Sequence, residues 1–522
     1  MALKILCGII LILSYIKTVQ SASILALFSS LSYSDHLVFR GYVSLLAEEG
    51  HSIVVMTPYP GQFQHPDTEK IMELDVGEES KPYWEEFKLL VTNTDDYFPR
   101  LKAMNEYSLK LAIAQLKSKQ MTALFINPTV KFDLVITEAD VPVLYAVADK
   151  YQAPHIAITT SSGKLHQYEA KGNPNHPFLY PDVNSLHYGN LTVWQKIIEL
   201  KRYYQTRNEY YGNYLPLSEL AAKKILGLTR SLEEVESDID FLFIASNPLL
   251  IGVRPVVPAI TYVDRMHIKP GLNLPKELQT LLDSAVKGAI YFSLGAVQES
   301  EQLSVYMLET LAEAFRELPY TVLWKMANNT VILKPNNVVT QAWFPQQHVL
   351  SHPNVKAFIT HGGPRSLEEA IFYEVPILGL PLVKSRKVFI EEVTKRGAGV
   401  VLDSYYLDKE TVKNAITAVI TDPKYKTSMS QLKEKSVDPI LSGPENAVLW
   451  TEYVIKNRGA RDLRLNTVSF MSYYMFDLFC YLVIPLFIVC YIMYFIVRFV
   501  LRRLLKRFRK RNLYSSGKFK AL

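Results

Sequence analysis

The chain has 522 residues, 49% of them hydrophobic, and a formal charge of +6, which is room for two domains with full cores. The charge sits at the ends: ten basic and no acidic side chains lie in 498–522 and two lysines in 1–21, which leaves the body at about −6. An acidic body without a basic patch speaks against nucleic acid as a partner, and Cys7, Cys480 and Cys490 all fall in the two most apolar segments, so the body has no disulfide to rely on.

Lys4, the apolar run 5–16 and the small residues of Val19-Gln20-Ser21 read as a secretory signal peptide over 1–21, the run being short for a membrane span. An apolar run at 23–28, a helical stretch at 36–49 ended by Gly50, and a β-branched run at 52–56 ended by Pro58 make strand, helix, strand. Further buried strands are expected at 134–137, 155–158 and 241–245, with mostly helical chain at 84–125 and 192–225. Charges, prolines and a glycine at 262–275 mark a linker, between an N-terminal domain at 22–265 and a C-terminal domain at 275–460. The second domain opens a new series of strands at 289–294, 321–324, 338–341, 357–360, 377–380 and 399–402. The spacing leaves room for crossover helices, which makes both sheets parallel. The fold class is therefore α/β, with two doubly wound parallel-sheet domains facing a cleft. Ligands in such sheets bind beyond the carboxyl ends of the strands.

Residues 478–497 carry no charge and as a helix span about 30 Å; Pro485 is tolerated in a transmembrane helix. Tyr473, Tyr474, Tyr491 and Tyr494 lie toward its ends, and the basic stretch 498–522 marks a cytosolic tail and a luminal body. Lys518 and Lys520 resemble the dilysine signal that returns membrane proteins to the endoplasmic reticulum; the alternative is a basic tail that grips anionic lipid. Asn190-Leu191-Thr192 and Asn328-Asn329-Thr330 are sequons, usable if luminal.

The stretch 343–381 is the most informative. Trp343-Phe344-Pro345-Gln346-Gln347 comes first, and a strand then ends at His361. Gly362 and Gly363 allow a tight turn and close approach of a ligand to the backbone. A helix starts near Pro364, where free N–H groups and the positive dipole end suit a diphosphate. Ser366 supplies a hydroxyl. Glu369 lies one turn further on, with two oxygens for ribose hydroxyls, and Trp343 offers a flat face for a base. An ordinary strand–turn–helix with a satisfied histidine would explain the two glycines alone; the whole constellation points to a nucleotide.

This stretch resembles the signature of UDP-glycosyltransferases of the UDP-glucuronosyltransferase type, which have the two-domain GT-B fold. The likeness extends over nearly the whole chain, through Tyr291-Phe292-Ser293-Leu294-Gly295, His352-Pro353-Asn354-Val355-Lys356 and Trp450-Thr451-Glu452-Tyr453; Gly172-Asn173-Pro174 is nearest to insect members. The resemblance implies that Trp343 stacks on uracil and Gln346 reads its edge, that His361, Gly363 and Ser366 hold the diphosphate, and that Glu369 binds ribose. It further implies a UDP-glucose or UDP-glucuronate donor, no metal, inversion at the sugar, a small lipophilic acceptor in the N-terminal domain, and residence in the endoplasmic reticulum membrane; a homo- or hetero-oligomer is compatible with it.

The chain departs from that pattern where chemistry is expected. The family's basic histidine falls on Asp35 in Ser32-Tyr33-Ser34-Asp35-His36-Leu37-Val38-Phe39-Arg40, and His36 is one place late, about 100° around a helix; a slipped loop would bring His36 into place as the base. Asp35 at a helix start is expected to stay ionised with a low pKa, either as a poor base or as an N-cap. The family's acidic partner to the histidine falls on Glu138, with Asp140 as the alternative. The Asp-Gln pair that binds sugar hydroxyls is replaced by Ser385 and Arg386; an arginine there suits a carboxylate or a phosphate. Arg365 stands in the turn where a small or polar residue is usual and is counted with the donor-binding residues, and Ala296 stands where a serine is usual. Three readings remain: a hexosyltransferase acting on hydroxyl groups, a weak or inactive homologue that binds UDP-sugar or a lipophile or partners an active transferase, and a membrane-anchored lipophile carrier.

Overall fold

The computed structural model describes residues 21–518 except 62, 64–67, 93–96, 174, 183, 188, 270, 272, 296–302, 327–333, 437–441, 466–469 and 474. Residues 1–20 of the expected signal peptide, Pro174, Ala296, the sequon at Asn328, Tyr474 and Lys520 lie outside the described residues. The chain divides into two units, Met1–Leu465 and Asn466–Leu522.

The first unit holds two sheets. Strands β1 (Ser23–Leu27), β2 (Ser52–Thr57), β3 (Ile71–Asp75), β4 (Leu134–Glu138), β5 (His155–Thr159), β6 (Phe241–Ile244) and β7 (Ile260–Tyr262) form the first sheet, in the order β3-β2-β1-β4-β5-β6-β7. Strands β8 (Ala289–Ser293), β9 (Thr321–Lys325), β10 (Val338–Gln341), β11 (Val355–Thr360), β12 (Ile377–Gly379) and β13 (Gly399–Val401) form the second, in the order β10-β9-β8-β11-β12-β13. Every pairing is parallel. Central strands such as β1, β4 and β8 are continuous apolar runs because helices cover both faces; Ile24, Leu25, Leu134, Val135, Ile290 and Phe292 are all fully buried. The strand order reverses between β1 and β4 and between β8 and β11. A doubly wound sheet opens its ligand crevice at that point, so the residues that follow β1, β4, β8 and β11 are those set to meet in the cleft.

The predicted pair of doubly wound parallel sheets is what the chain forms. Two strands were not foreseen. β3 is an edge strand with one side chain of five buried, so it lacks the apolar run that betrays a central strand. β7 is three residues long at the opposite edge, and its tyrosine begins the stretch read as a linker, in which Val263 and Met266 are buried in the core of the first sheet.

Helix α1 (Tyr33–Glu48) runs down one face of the first sheet and buries Val38, Phe39, Tyr42, Val43, Leu46 and Ala47, each large apolar side chain contributing about 1.5–3 kcal/mol. Its N-cap is Ser32, so Asp35 sits at the third helical position and is not the cap. Gly41 is needed there: a Cβ would stand 1.8 Å from the Met266 carbonyl oxygen. In the second sheet, α2 (Pro364–Phe372) follows β11 and α3 (Lys384–Thr394) follows β12. Helix α4 (Gly443–Asn457), expected to close the second domain, packs on the first sheet instead. Trp450 lies against Phe241 with ring centroids 4.7 Å apart, the Tyr42 and Thr451 hydroxyls meet at 2.6 Å, and His51 Nε2 meets Glu452 Oε1 at 2.8 Å. One apolar cluster contains Leu25 and Val135 of the first sheet together with Tyr291 and Phe358 of the second, so the two sheets share a core.

In the second unit, α5 (Phe476–Lys518) is a single helix with Pro485 inside it. Its stretch Phe476–Arg509 is long and apolar enough to cross a membrane.

Candidate active site

At the carboxyl edge of the second sheet, β11 delivers His361 into the turn before α2. Gly362 has φ +91°, and a Cβ on it would lie 2.5 Å from Ile390 Cγ1 and 2.9 Å from the Arg386 carbonyl oxygen; only glycine satisfies both constraints. At Gly363 a Cβ would stand 2.8 Å from His361 Nε2, so that imidazole lies over the start of α2. Gly363 is the N-cap of α2 and supplies no side-chain cap, which leaves the first-turn N–H groups for an anion.

Around this turn the structure brings Gln346, Ser366 and Glu369 together. Gln346 Nε2 donates to Glu369 Oε2 at 2.6 Å and to Ser366 Oγ at 3.0 Å. Burial raises the Glu369 pKa to about 7, against the lowering effect of the Gln346 and Gln347 hydrogen bonds. Trp343 is 53% exposed. Lys325 Nζ lies 4.1 Å from its ring centroid and Tyr33 meets it edge-on at 5.6 Å.

Lys325 and Tyr33 were missed from the sequence. Lys325 is 6% exposed and its Nζ donates to the Gly295 carbonyl at 2.7 Å. A lysine closing the apolar run Thr321–Lys325 at a carboxyl strand end is the signal that was available. Arg386 lies on α3, its backbone carbonyl against the Gly362 turn; the side chain of Ser385 lies outside the described residues.

At the carboxyl edge of the first sheet, His36 is 1% exposed. Its Nε2 meets the Ser30 carbonyl at 2.6 Å and its Nδ1 faces Thr57 Oγ1 at 3.5 Å. Burial drives its pKa down to about 3, so the imidazole is a neutral, packed group. Glu138 does not orient it: Glu138 Oε2 accepts the Ser29 and Ser30 N–H groups, both at 2.9 Å, and burial raises this carboxyl to about 8. Glu138 therefore shapes the turn after β1.

Asp35 is half-buried at the cleft. Its pKa is raised, first by burial, against hydrogen bonds from Thr160 and Ser32 and the field of Arg365, while Asp140 adds to the rise. The low pKa expected at a helix start is overturned because desolvation outweighs Arg365 and the two hydrogen bonds. Asp140 accepts from Thr159 Oγ1 at 2.9 Å and pairs with Lys164 at 3.0 Å.

A cavity of about 1600 Å³ is lined by Ala22, Asp133, Pro154 and Asp240, at the amino ends of the first sheet's strands. It is the wrong end for a ligand site in this fold, and its size has no bearing on the cleft. A cavity of about 60 Å³ lies beyond β5, between Leu165, Tyr97, Tyr180 and Arg202.

Two parallel doubly wound sheets meeting at their carboxyl edges, with a glycine turn and a Gln–Ser–Glu cluster on one side, define a two-domain glycosyltransferase of the GT-B class. Solved structures agree on the fold. The glycosyltransferase VinC in complex with dTDP has a TM-score of 0.55 at 16% identity over 84% of this chain and all of that one, and the calicheamicin glycosyltransferase CalG4 has 0.53 at 17% over 83% and 98%. The family model described as UDP-glucoronosyl and UDP-glucosyl transferase matches residues 24–511, and the chain belongs to that family. Relatives include UDP-glucosyltransferase 2 of Dactylopius coccus, 30% identical over 88% of this chain and 89% of that one. Human UDP-glucuronosyltransferase 2B15 is 26% identical over 86% and 88%.

Proposed function

We propose that this protein transfers a hexose, glucose or glucuronate, from its UDP donor to a hydroxyl of a small lipophilic acceptor with inversion, and that Asp35 takes the acceptor proton. The body is read as luminal and α5 as its single anchor in the endoplasmic reticulum membrane. The observation that carries the reading is the place of Asp35: a half-buried carboxylate in the first turn of α1, hydrogen-bonded to Thr160, whose carbonyl meets Arg365 of the helix that carries Ser366 and Glu369; burial raises its pKa. Raised basicity is what proton abstraction near neutral pH requires. As the acceptor oxygen attacks the anomeric carbon, charge builds on the departing UDP, where the open end of α2 and His361 stand ready to receive it. Trp343 offers surface for uracil and Glu369 an acceptor for ribose hydroxyls. Arg386 is read as facing a donor carboxylate or phosphate, with Ser385 beside it.

The test uses the full chain in microsomes, given UDP-glucose or UDP-glucuronate and a panel of phenols and terpenoid alcohols. Transfer by the native chain that Asp35→Asn removes, with UDP binding kept, is the expected result. UDP binding without transfer would sink the enzyme reading and leave a binding homologue, which the locked His36 also fits.

A further inference from the structure

The proposed chemistry makes no use of Arg365. This arginine is the second residue of α2, so its backbone moves with the donor turn. Its guanidinium nevertheless ends among groups of the first sheet's carboxyl edge. Nη1 donates to the Ala245 carbonyl, and Nη2 donates to the Thr160 carbonyl and to Ser246 Oγ at 3.0 Å. Glu368, on the next turn of α2, approaches Nη1 with both oxygens, at 3.2 and 3.1 Å, and accepts the Asn247 N–H at 3.1 Å. Arg365 is 7% exposed and Glu368 3%. A guanidinium buried this deeply persists only when its donors are hydrogen-bonded, and the fork of Arg365 finds two carbonyls, a hydroxyl and the Glu368 carboxyl.

Thr160 is the joint. Its carbonyl takes Arg365, and its hydroxyl is hydrogen-bonded to Asp35. We propose that Arg365 is a positioning residue that, through Thr160, ties the donor-binding helix to Asp35, so that this carboxylate takes its working place and charge only when the two sheets are docked. The proposal rests on the transferase reading above.

The groups acting on Asp35 come from five places: Arg365 on α2, Thr160 after β5, Ser32 before α1, Glu138 and Asp140 at the end of β4, and Tyr59 after β2. Arg365 is the positive one. Without it Asp35 keeps its burial and its acidic neighbours, and ionises only at higher pH.

Arg365→Gln, Arg365→Lys and Thr160→Val, in the full chain in microsomes, test this. Arg365→Gln is expected to bind UDP as the native chain does, to lose about tenfold in kcat and to move the acid limb of kcat/KM up by about one pH unit. Thr160→Val should match the kcat loss with a smaller shift, and Arg365→Lys should restore the limb without restoring kcat. Hydrogen exchange at 159–161 and 245–247 should speed up in Arg365→Gln whether or not the chain is active. Unchanged exchange overturns the proposal, as does a fall in kcat with the acid limb unmoved. A native chain that binds UDP and transfers nothing defeats the transferase reading instead, and the exchange result then decides whether Arg365 ties the two sheets together.

Discussion

The imidazole of His36 meets the Ser30 carbonyl and faces Thr57, so a proton added there would charge a packed core. His36→Ala should therefore lower stability by about 1–3 kcal/mol, through the polar groups it strands, and leave the acid limb of the pH–rate profile in place. Asp35→Asn should do the reverse, keeping the melting temperature and removing transfer by about 100-fold or more. The sign of the native profile follows from the direction of the shift. With the Asp35 pKa raised, the basic form is lost as pH falls through a value above the ordinary aspartate range, so activity should begin to fade earlier than for an exposed carboxylate. Steady-state rates across pH check both statements. Sequence reading placed His361, Ser366 and Glu369 near one another because one strand, one turn and one helix hold them, and Trp343 and Gln346 stand in the short segment just before that strand. It could not place the partners of Arg365, because Thr160 and Ala245 lie 205 and 120 residues away along the chain.

The turn between β11 and α2 shows at the scale of an element how a backbone makes a site. Gly363→Ala would put a methyl 2.8 Å from His361 Nε2 and push that ring off the start of α2. The expected outcome is a loss of about tenfold in UDP affinity by calorimetry, or about 1.4 kcal/mol, with the fold kept, since φ at this position is −60° and suits any residue. Elements were legible wherever both faces of a strand are buried, as in β1, β4 and β8. β3 and β7 were not legible: β3 buries one side chain of five and β7 is three residues at the edge of a stretch rich in charges and prolines. The destination of α4 was hidden for a different reason. Its sequence shows an amphipathic helix with a capping box at Ser442 and Glu445, but nothing local says which sheet its apolar face will cover. Thr451→Val would leave the Tyr42 hydroxyl buried without its 2.6 Å partner. That should cost about 1–3 kcal/mol, read as an earlier denaturant midpoint.

Across the whole molecule the buried titratable groups set how stability follows pH. Glu138 and Glu236 are raised to about 8, and Glu368 and Glu369 to about 7, each chiefly by burial. The folded state therefore holds protons at these carboxyls that the unfolded chain, with ordinary carboxylates, has already released, and stability falls as pH rises through the folded values. Buried His36, His155 and His267, lowered to about 3 by burial, act in the opposite sense. They favour the fold as pH rises, but only up to the ordinary histidine pKa of about 6.5. Lys171, lowered to about 7 by burial, opposes the carboxyls above neutrality, where Glu138 and Glu236 are the two that still hold most of their protons. Glu317 and Glu374, lowered to about 2 by lysine partners, have no leverage in this range. The net slope between pH 6.5 and 8 is then negative, on the order of 1 kcal/mol per pH unit. Thermal melts of the detergent-solubilised chain should show a lower melting temperature at pH 8 than at pH 6.5, and Glu138→Gln should flatten the difference by removing one of the four carboxyls. A melting temperature that rises across this interval would mean that these carboxyls are ionised in the folded protein and that burial does not control their charge.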